Sequence, residues 1–216
     1  MYDNRDRHRN NLSVTNNCMS VTGRGSVTAI PDIAIIRLGV LTSGNNLSIA
    51  QEENARISQM ILDGLRQMGV TDIKTHLYNI DKLYDYENGT RIDRGYSVRN
   101  IIEIRTDMLD MAGTIIDTAV SLGANLVELI TFEVSDTEPY YLEALNIALN
   151  NASNKARSMA NEFGALLNAL PVSIIANSSQ PLPIARTFLG EGQYTTPIEP
   201  GRTQIEASVL LEYTYM

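Results

Sequence analysis

An α+β fold, with antiparallel or mixed sheets packed against three helices, is predicted by three observations in this 216-residue chain. First, an apolar stretch at helical spacing runs three times into a glycine and restarts as a β-rich run. The junctions are Leu65-Arg66-Gln67-Met68-Gly69-Val70, Ala119-Val120-Ser121-Leu122-Gly123-Ala124 and Ala160-Asn161-Glu162-Phe163-Gly164-Ala165. A glycine just past the last apolar position can enter the left-handed conformation that closes a helix without a Cβ clash, so each junction reads as helix, stop, strand. Second, Asn88-Gly89 separates two β-rich runs, and Asn-Gly is the strongest short-range hairpin signal. Third, several neighbouring strands follow one another with no helix between them, which favours antiparallel pairing over a doubly wound parallel sheet.

The elements follow in order. Met19 to Ile30 alternates Ser, Val and Thr as a strand, Pro31-Asp32 breaks it, and Ile33 to Leu41 is a second run, so two adjacent strands joined by a tight turn are expected. Asn45 to Ser48 opens the first helix, with Ser48 and Gln51 spaced as a capping box. Ile49, Ile57, Met60, Ile61, Leu65 and Met68 form its apolar face. Ile73 to Tyr84 and Tyr96 to Thr106 are the hairpin strands. The second alternates Val98, Ile102 and Ile104 against Arg99, Glu103 and Arg105, which predicts one wet face. Asp107 is placed to cap the second helix, whose buried stripe is Leu109, Ala112, Ile115, Ile116 and Ala119. Leu126 to Val134 is a strand. Asp136 or Thr137, with Pro139 in the first turn, starts the longest helix, where Ala144, Ala148, Ala152, Ala156 and Ala160 recur every fourth residue. Such a stripe lets a helix lie close to its neighbour, with Leu142, Leu145, Leu149, Met159 and Phe163 flanking it. A strand from Leu170 to Ala176, a loop containing Pro181, Pro183, Pro197 and Pro200, and a last strand from Gln204 to Tyr215 complete the chain.

Size and composition narrow the function classes. A chain of this length buries a core without disulfides or metals, and the 44% hydrophobic and 19% charged content is that of a globular protein. The net charge of −8 repels a phosphate backbone, so nucleic acid is not an expected partner. Residues 1–18 are polar, lack apolar periodicity and read as a disordered tail. They supply no apolar segment behind Arg5, Arg7, His8 and Arg9, and no run approaches a membrane span, so a cytoplasmic location is expected. The single cysteine, Cys18, has no internal partner for a disulfide.

No motif here assembles into a reaction. Gly23-Arg24-Gly25 lacks the third glycine of a phosphate loop and precedes a strand, so its glycines are expected to serve a turn or bulge. Asp81, Asp85, Glu87 and Asp93 miss the spacing of a calcium loop and read as a solvated hairpin tip. His76 has no second histidine within the folded region and no nucleophile elbow, so it reads as a strand-surface residue. Lys155, Arg157, Glu143 and Glu162 read as solvated helix charges. The Asn88-Gly89-Thr90 sequon carries no weight without secretion. No catalytic, cofactor-binding or metal-binding residue is assigned.

Several short motifs in a fixed order resemble the SIMPL-domain family of periplasmic immunogenic protein-like chains. They are Val21-Thr22-Gly23-Arg24-Gly25 with Pro31-Asp32, Gly95-Tyr96-Ser97-Val98-Arg99-Asn100, Ile116-Asp117-Thr118-Ala119 with Gly123-Ala124-Asn125, and Phe132-Glu133-Val134-Ser135-Asp136. The order continues through Ala144-Leu145, Ala148, Ala152, Lys155-Ala156 and Gly164 to Ile198-Glu199-Pro200-Gly201. The resemblance implies a two-lobed α+β domain over 19–216, with one lobe expected at about 19–94 plus 170–216 and the other at about 95–169. It also implies an envelope-associated, stress-related family with no established catalytic residues, some members of which form hollow ring-like homo-oligomers. The polar start departs from the signal peptide most bacterial relatives carry.

The expected function is therefore non-enzymatic, exerted through homo-oligomeric assembly, for which the resemblance implies a ring-like form, with the 179–200 loop and the final strand contributing to subunit contacts. The alternative expectation is a small-molecule or peptide-binding module using an inter-lobe groove.

Overall fold

The computed structural model describes residues 17–87, 89–178, 182–184 and 198–216. In chain order the elements are β1 (Cys18–Ala29), β2 (Ile33–Gly44), α1 (Leu47–Gln67), β3 (Asp72–Glu87), β4 (Thr90–Thr106), a 3-10 turn (Leu109–Met111), α2 (Ala112–Ser121), β5 (Leu126–Glu133), α3 (Glu138–Glu162), β6 (Ser173–Ser178), β7 (Leu182–Ile184) and β8 (Arg202–Thr214). This is the α+β class, with antiparallel strands and, among the described residues, three α-helices.

All three helix stops close alike. Gly69, Gly123 and Gly164 have φ of +88°, +109° and +66°. The residue after each glycine donates its N–H five residues back, Val70 to Leu65, Ala124 to Ala119 and Ala165 to Ala160, at 3.1, 2.9 and 2.9 Å. Each glycine N–H reaches three residues back, to Arg66, Val120 and Asn161. These are Schellman motifs, which satisfy carbonyls the helix end leaves open.

The strands form two sheets, one in the order β1-β8-β6 with β7 also on β8, the other in the order β3-β4-β2-β5. β1 and β2 therefore lie in different sheets, and the expected tight-turn pairing between them does not form. Pro31-Asp32 instead redirects the chain. The Asp32 N–H donates to the Glu133 carbonyl at 3.0 Å, and its carboxylate accepts from the Ser135 N–H at 2.6 Å and from the Ser135 hydroxyl. Those two bonds, hydroxyl first, hold the Asp32 carboxyl below its ordinary pKa.

By contact the chain divides into two compact units. Over the described residues one comprises 17–27, 138–178 and 205–216, and the other 28–87, 89–137, 182–184 and 198–204. This is not the expected division at 94/95 and 169/170. That boundary would separate β3 from β4, which pair from Asp72↔Arg105 to Glu87↔Thr90, and would divide β4 from β2.

In the larger unit α1 and α2 cover one face of the β3-β4-β2-β5 sheet around Ile36, Leu38, Ile61, Leu65, Ile104 and Ile115. The buried stripe of α1 is Ala50, Asn54, Ser58, Ile61 and Leu65. Of the expected apolar face, Ile61 and Leu65 are buried and Ile57 and Met68 pack against the core, while Ile49 and Met60 are exposed. Its N-cap is Asn46, whose side chain accepts from the N–H groups of Ser48 and Ile49, so the expected Ser48–Gln51 box does not cap it. Asp107 likewise does not cap α2, which is entered through the 3-10 turn with no side-chain cap bond.

In the other unit α3 lies on the β1-β8-β6 sheet through its five alanines, each at most 2% exposed. Val21, Val209, Leu211 and Tyr213 complete this core, with Leu145 and Leu149 packed against it. Gly23 and Gly25 lie inside β1 and not in a turn. A Cβ on Gly23 would meet the Ala148 carbonyl and Ala152, and one on Gly25 would meet Ala144 and Ala148, so strand and helix backbones touch. Asn151 Nδ2 donates to the Arg24 carbonyl at 2.8 Å and Lys155 Nζ to the Thr22 carbonyl at 3.0 Å. β8 lies between β1 and the β6–β7 side, so both its edges are occupied.

Candidate functional site

The strongest charged constellation was missed in the sequence. Lys74, Glu103 and Arg37 stand opposite one another on β3, β4 and β2. Glu103 Oε1 lies 2.8 Å from Lys74 Nζ, and Oε2 lies 2.7 Å from Arg37 Nε. His76, at a register shift of β3, places Nδ1 3.8 Å from Oε2. Glu103 is 9% exposed and its β4 neighbour Ile101 is fully buried, so the face expected to be wet is buried at its centre. The alternation gave the face correctly, but it cannot show which member of a polar face lies deep.

Lys74, then Arg37, hold the Glu103 carboxyl down to about 2 from the ordinary 4.5. Such a group stays ionised near neutral pH and is a poor proton acceptor, so the cluster is an ion-pair network and not an acid–base pair. The lowered value fixes the sign of a pH effect. Stability from Glu103 is fully present above the unfolded pKa near 4.5 and is lost as pH falls from there through about 2. In urea titrations, wild type is expected to exceed Glu103→Gln in stability at pH 7, with the gap shrinking between pH 4.5 and 2. A gap independent of pH would contradict this.

The other singled-out residues are placed separately. Asp85 and Glu87 both pair with Arg94, at 3.2 and 2.9 Å, and Asp93 with Lys82 at 2.8 Å. Asp81 accepts from Asn79 at 2.7 Å. The hairpin acids thus face cations and an amide of the same hairpin. Arg91 stacks 3.2 Å over the Tyr84 ring. Cys18 is exposed at the start of β1, and Arg24, Glu143, Arg157 and Glu162 are exposed. Asn88 of the sequon lies outside the described residues, as do most of the 179–200 loop and residues 1–16. Among the described residues no group of three or more His, Cys, Asp or Glu is placed to hold a metal ion, and no helix is long and apolar enough to cross a membrane.

A second feature missed in the sequence is apolar. Phe163, Leu166, Leu170, Val172, Ile174, Ile175 and Met216 are 50% to 79% exposed. They belong to one margin of the β1-β8-β6 sheet: Leu166 and Met216 exchange backbone hydrogen bonds at 2.8 and 3.0 Å, and the Val172 N–H donates to Glu212 at 2.7 Å. The available signal was the lack of any charged residue between Glu162 and Arg186.

The model of the SIMPL family, described as a protein of unknown function (DUF541), matches residues 19–213. The chain belongs to the SIMPL family. Its relatives include the 26 kDa periplasmic immunogenic protein of Brucella melitensis, 29% identical over 209 residues, covering 88% of this chain and 82% of that protein. The uncharacterized protein YggE of Escherichia coli K12 is 26% identical over 191 residues, covering 87% of this chain and 76% of YggE. Neither name describes an enzyme. The periplasmic description of the Brucella relative overturns the cytoplasmic expectation. That expectation rested on the polar character of the first residues, which does not outweigh similarity along most of the folded chain.

Proposed function

We propose that this SIMPL protein is non-enzymatic and acts in the bacterial envelope, in the periplasm, by assembling with copies of itself. The observation that carries this reading is the exposed apolar margin formed by residues 163–175 and Met216. Scattered exposed apolar side chains need no explanation, but a run of them joined along one sheet margin marks an interaction site. The ring-like assembly and stress association implied by the family resemblance agree with this reading and add no residue to it.

The test is light scattering behind size exclusion over a dilution series. A mass of at least twice 23.9 kDa at micromolar concentration is expected. A mass of 23.9 kDa at every concentration would remove the proposal. If that monomer also showed a ligand-dependent rise in melting temperature with no change in mass, the binding-module alternative would replace it.

A further inference from the structure

We infer that two copies of this chain join through β6, strand against antiparallel strand, so that the β1-β8-β6 sheet continues into its equivalent in the second copy. The inference rests on the assembly reading above and names the surface that reading requires. Among the described residues β6 pairs only with β8, from Ser173↔Glu212 to Ser178↔Ala207, so within those residues its outer edge meets no strand. Unpaired edges of this kind are templates for another strand, and folded proteins usually block them with charges.

Charge singles out the edge and identifies the occupant. Each of the other edge strands carries charged side chains: Arg24 on β1, Glu128 and Glu133 on β5, and Lys74, Asp81, Lys82, Asp85 and Glu87 on β3. β6, Ser-Ile-Ile-Ala-Asn-Ser, carries none, and β7 on the same margin carries none. When a strand pairs antiparallel with its own copy about a two-fold axis, residues near the axis face their own equivalents, so any charge there meets a like charge. A charge-free strand is the one that tolerates this arrangement, and a chain of net charge −8 approaches itself most readily where carboxylates are absent. Ile174 and Ile175 point to opposite faces of the strand and are 58% and 50% exposed, so both faces of the joined strands would bury apolar surface. A two-fold contact closes at two copies, and any larger assembly needs a second, different contact.

Sedimentation of Ile175→Lys, of Ile175→Glu and of their equimolar mixture tests this. Position 175 is exposed, and retained far-UV circular dichroism confirms that each variant folds. Each variant alone is expected at half the wild-type mass or less, and the mixture is expected to recover the wild-type mass at low salt, because lysine then faces glutamate across the junction. Variants that keep the mass of an oligomeric wild type overturn the β6 junction and leave the assembly reading standing. A mixture that stays light also overturns it. A wild type of 23.9 kDa overturns the assembly reading and the junction together.

Discussion

Asn54→Leu is expected to cost about 3 kcal/mol of stability, because it leaves two buried carbonyls without their donor at about 1–3 kcal/mol each. Asn54 is fully buried in the middle of α1. Its Nδ2 donates to the carbonyls of Val40 and Val98 at 3.1 and 2.9 Å, on two neighbouring strands. Its Oδ1 accepts from the Ser58 hydroxyl, and Ser58 in turn accepts from Asn100 Nδ2 at 3.0 Å. The chain of donors fixes the amide orientation and ties the helix to the sheet at one register. Asn54→Asp separates donor loss from packing loss, because it keeps the shape and removes the N–H groups. At neutral pH an ionised carboxylate would face two carbonyl oxygens without water, so its folded pKa is raised. The gap between this variant and wild type is therefore largest near pH 7 and narrows as pH falls toward about 4, where protonation restores one donor. Urea titrations at both pH values check it, and an Asp variant as stable as wild type at pH 7 would contradict the role given to Asn54.

Gly23→Ala is the second large effect expected, although it adds only one methyl group. The new Cβ would fall on the Ala148 carbonyl oxygen and within 2.8 Å of the Ala152 Cβ and N. These are helix backbone and a side chain with no rotamer, so nothing can swing aside and α3 must lift from the sheet. Overpacking of a fitted core costs about 1–3 kcal/mol, and contact with backbone places this case at the upper end or beyond. A fall in melting temperature of the order of 10 °C is expected for a chain of this size. Ser26→Val, on the same strand but exposed, is expected to change stability by less than about 0.5 kcal/mol. Equal losses at the two positions would mean that Gly23 matters for strand propensity and not for close approach.

These two sites also show where sequence reading succeeds and fails. The glycine stops were legible because their cause is local: a left-handed residue, two backbone hydrogen bonds and an apolar run that ends. The alanine stripe was legible for the same reason, since a four-residue period fixes a helix face without knowledge of its partner. Its partner was not legible, and Gly23 and Gly25 were read as turn or bulge residues because their reason lies more than a hundred residues away on α3. Asn54 and Ser58 were missed because apolar periodicity assigns buried faces to apolar residues, and here the face nearest the sheet is partly polar. The β1–β2 turn was expected from adjacency alone, and the Asp32 bonds to Glu133 and Ser135 that redirect the chain are again non-local.

Of the surfaces, the hairpin acids were legible as solvated because their spacing fails a metal loop. The Glu103 ion pairs needed register across three strands, which no single strand shows. The β6 margin was half visible. Its lack of charge lies in the sequence, but the sequence does not say that the strand is an edge.

The native mass of the unmodified chain, measured by electrospray from a neutral volatile buffer at micromolar protein, tests assembly most directly. The expected result is a discrete species at an integer multiple of 23.9 kDa, two or greater, that dissociates on dilution or acidification. A single species at 23.9 kDa across the same range would contradict the account.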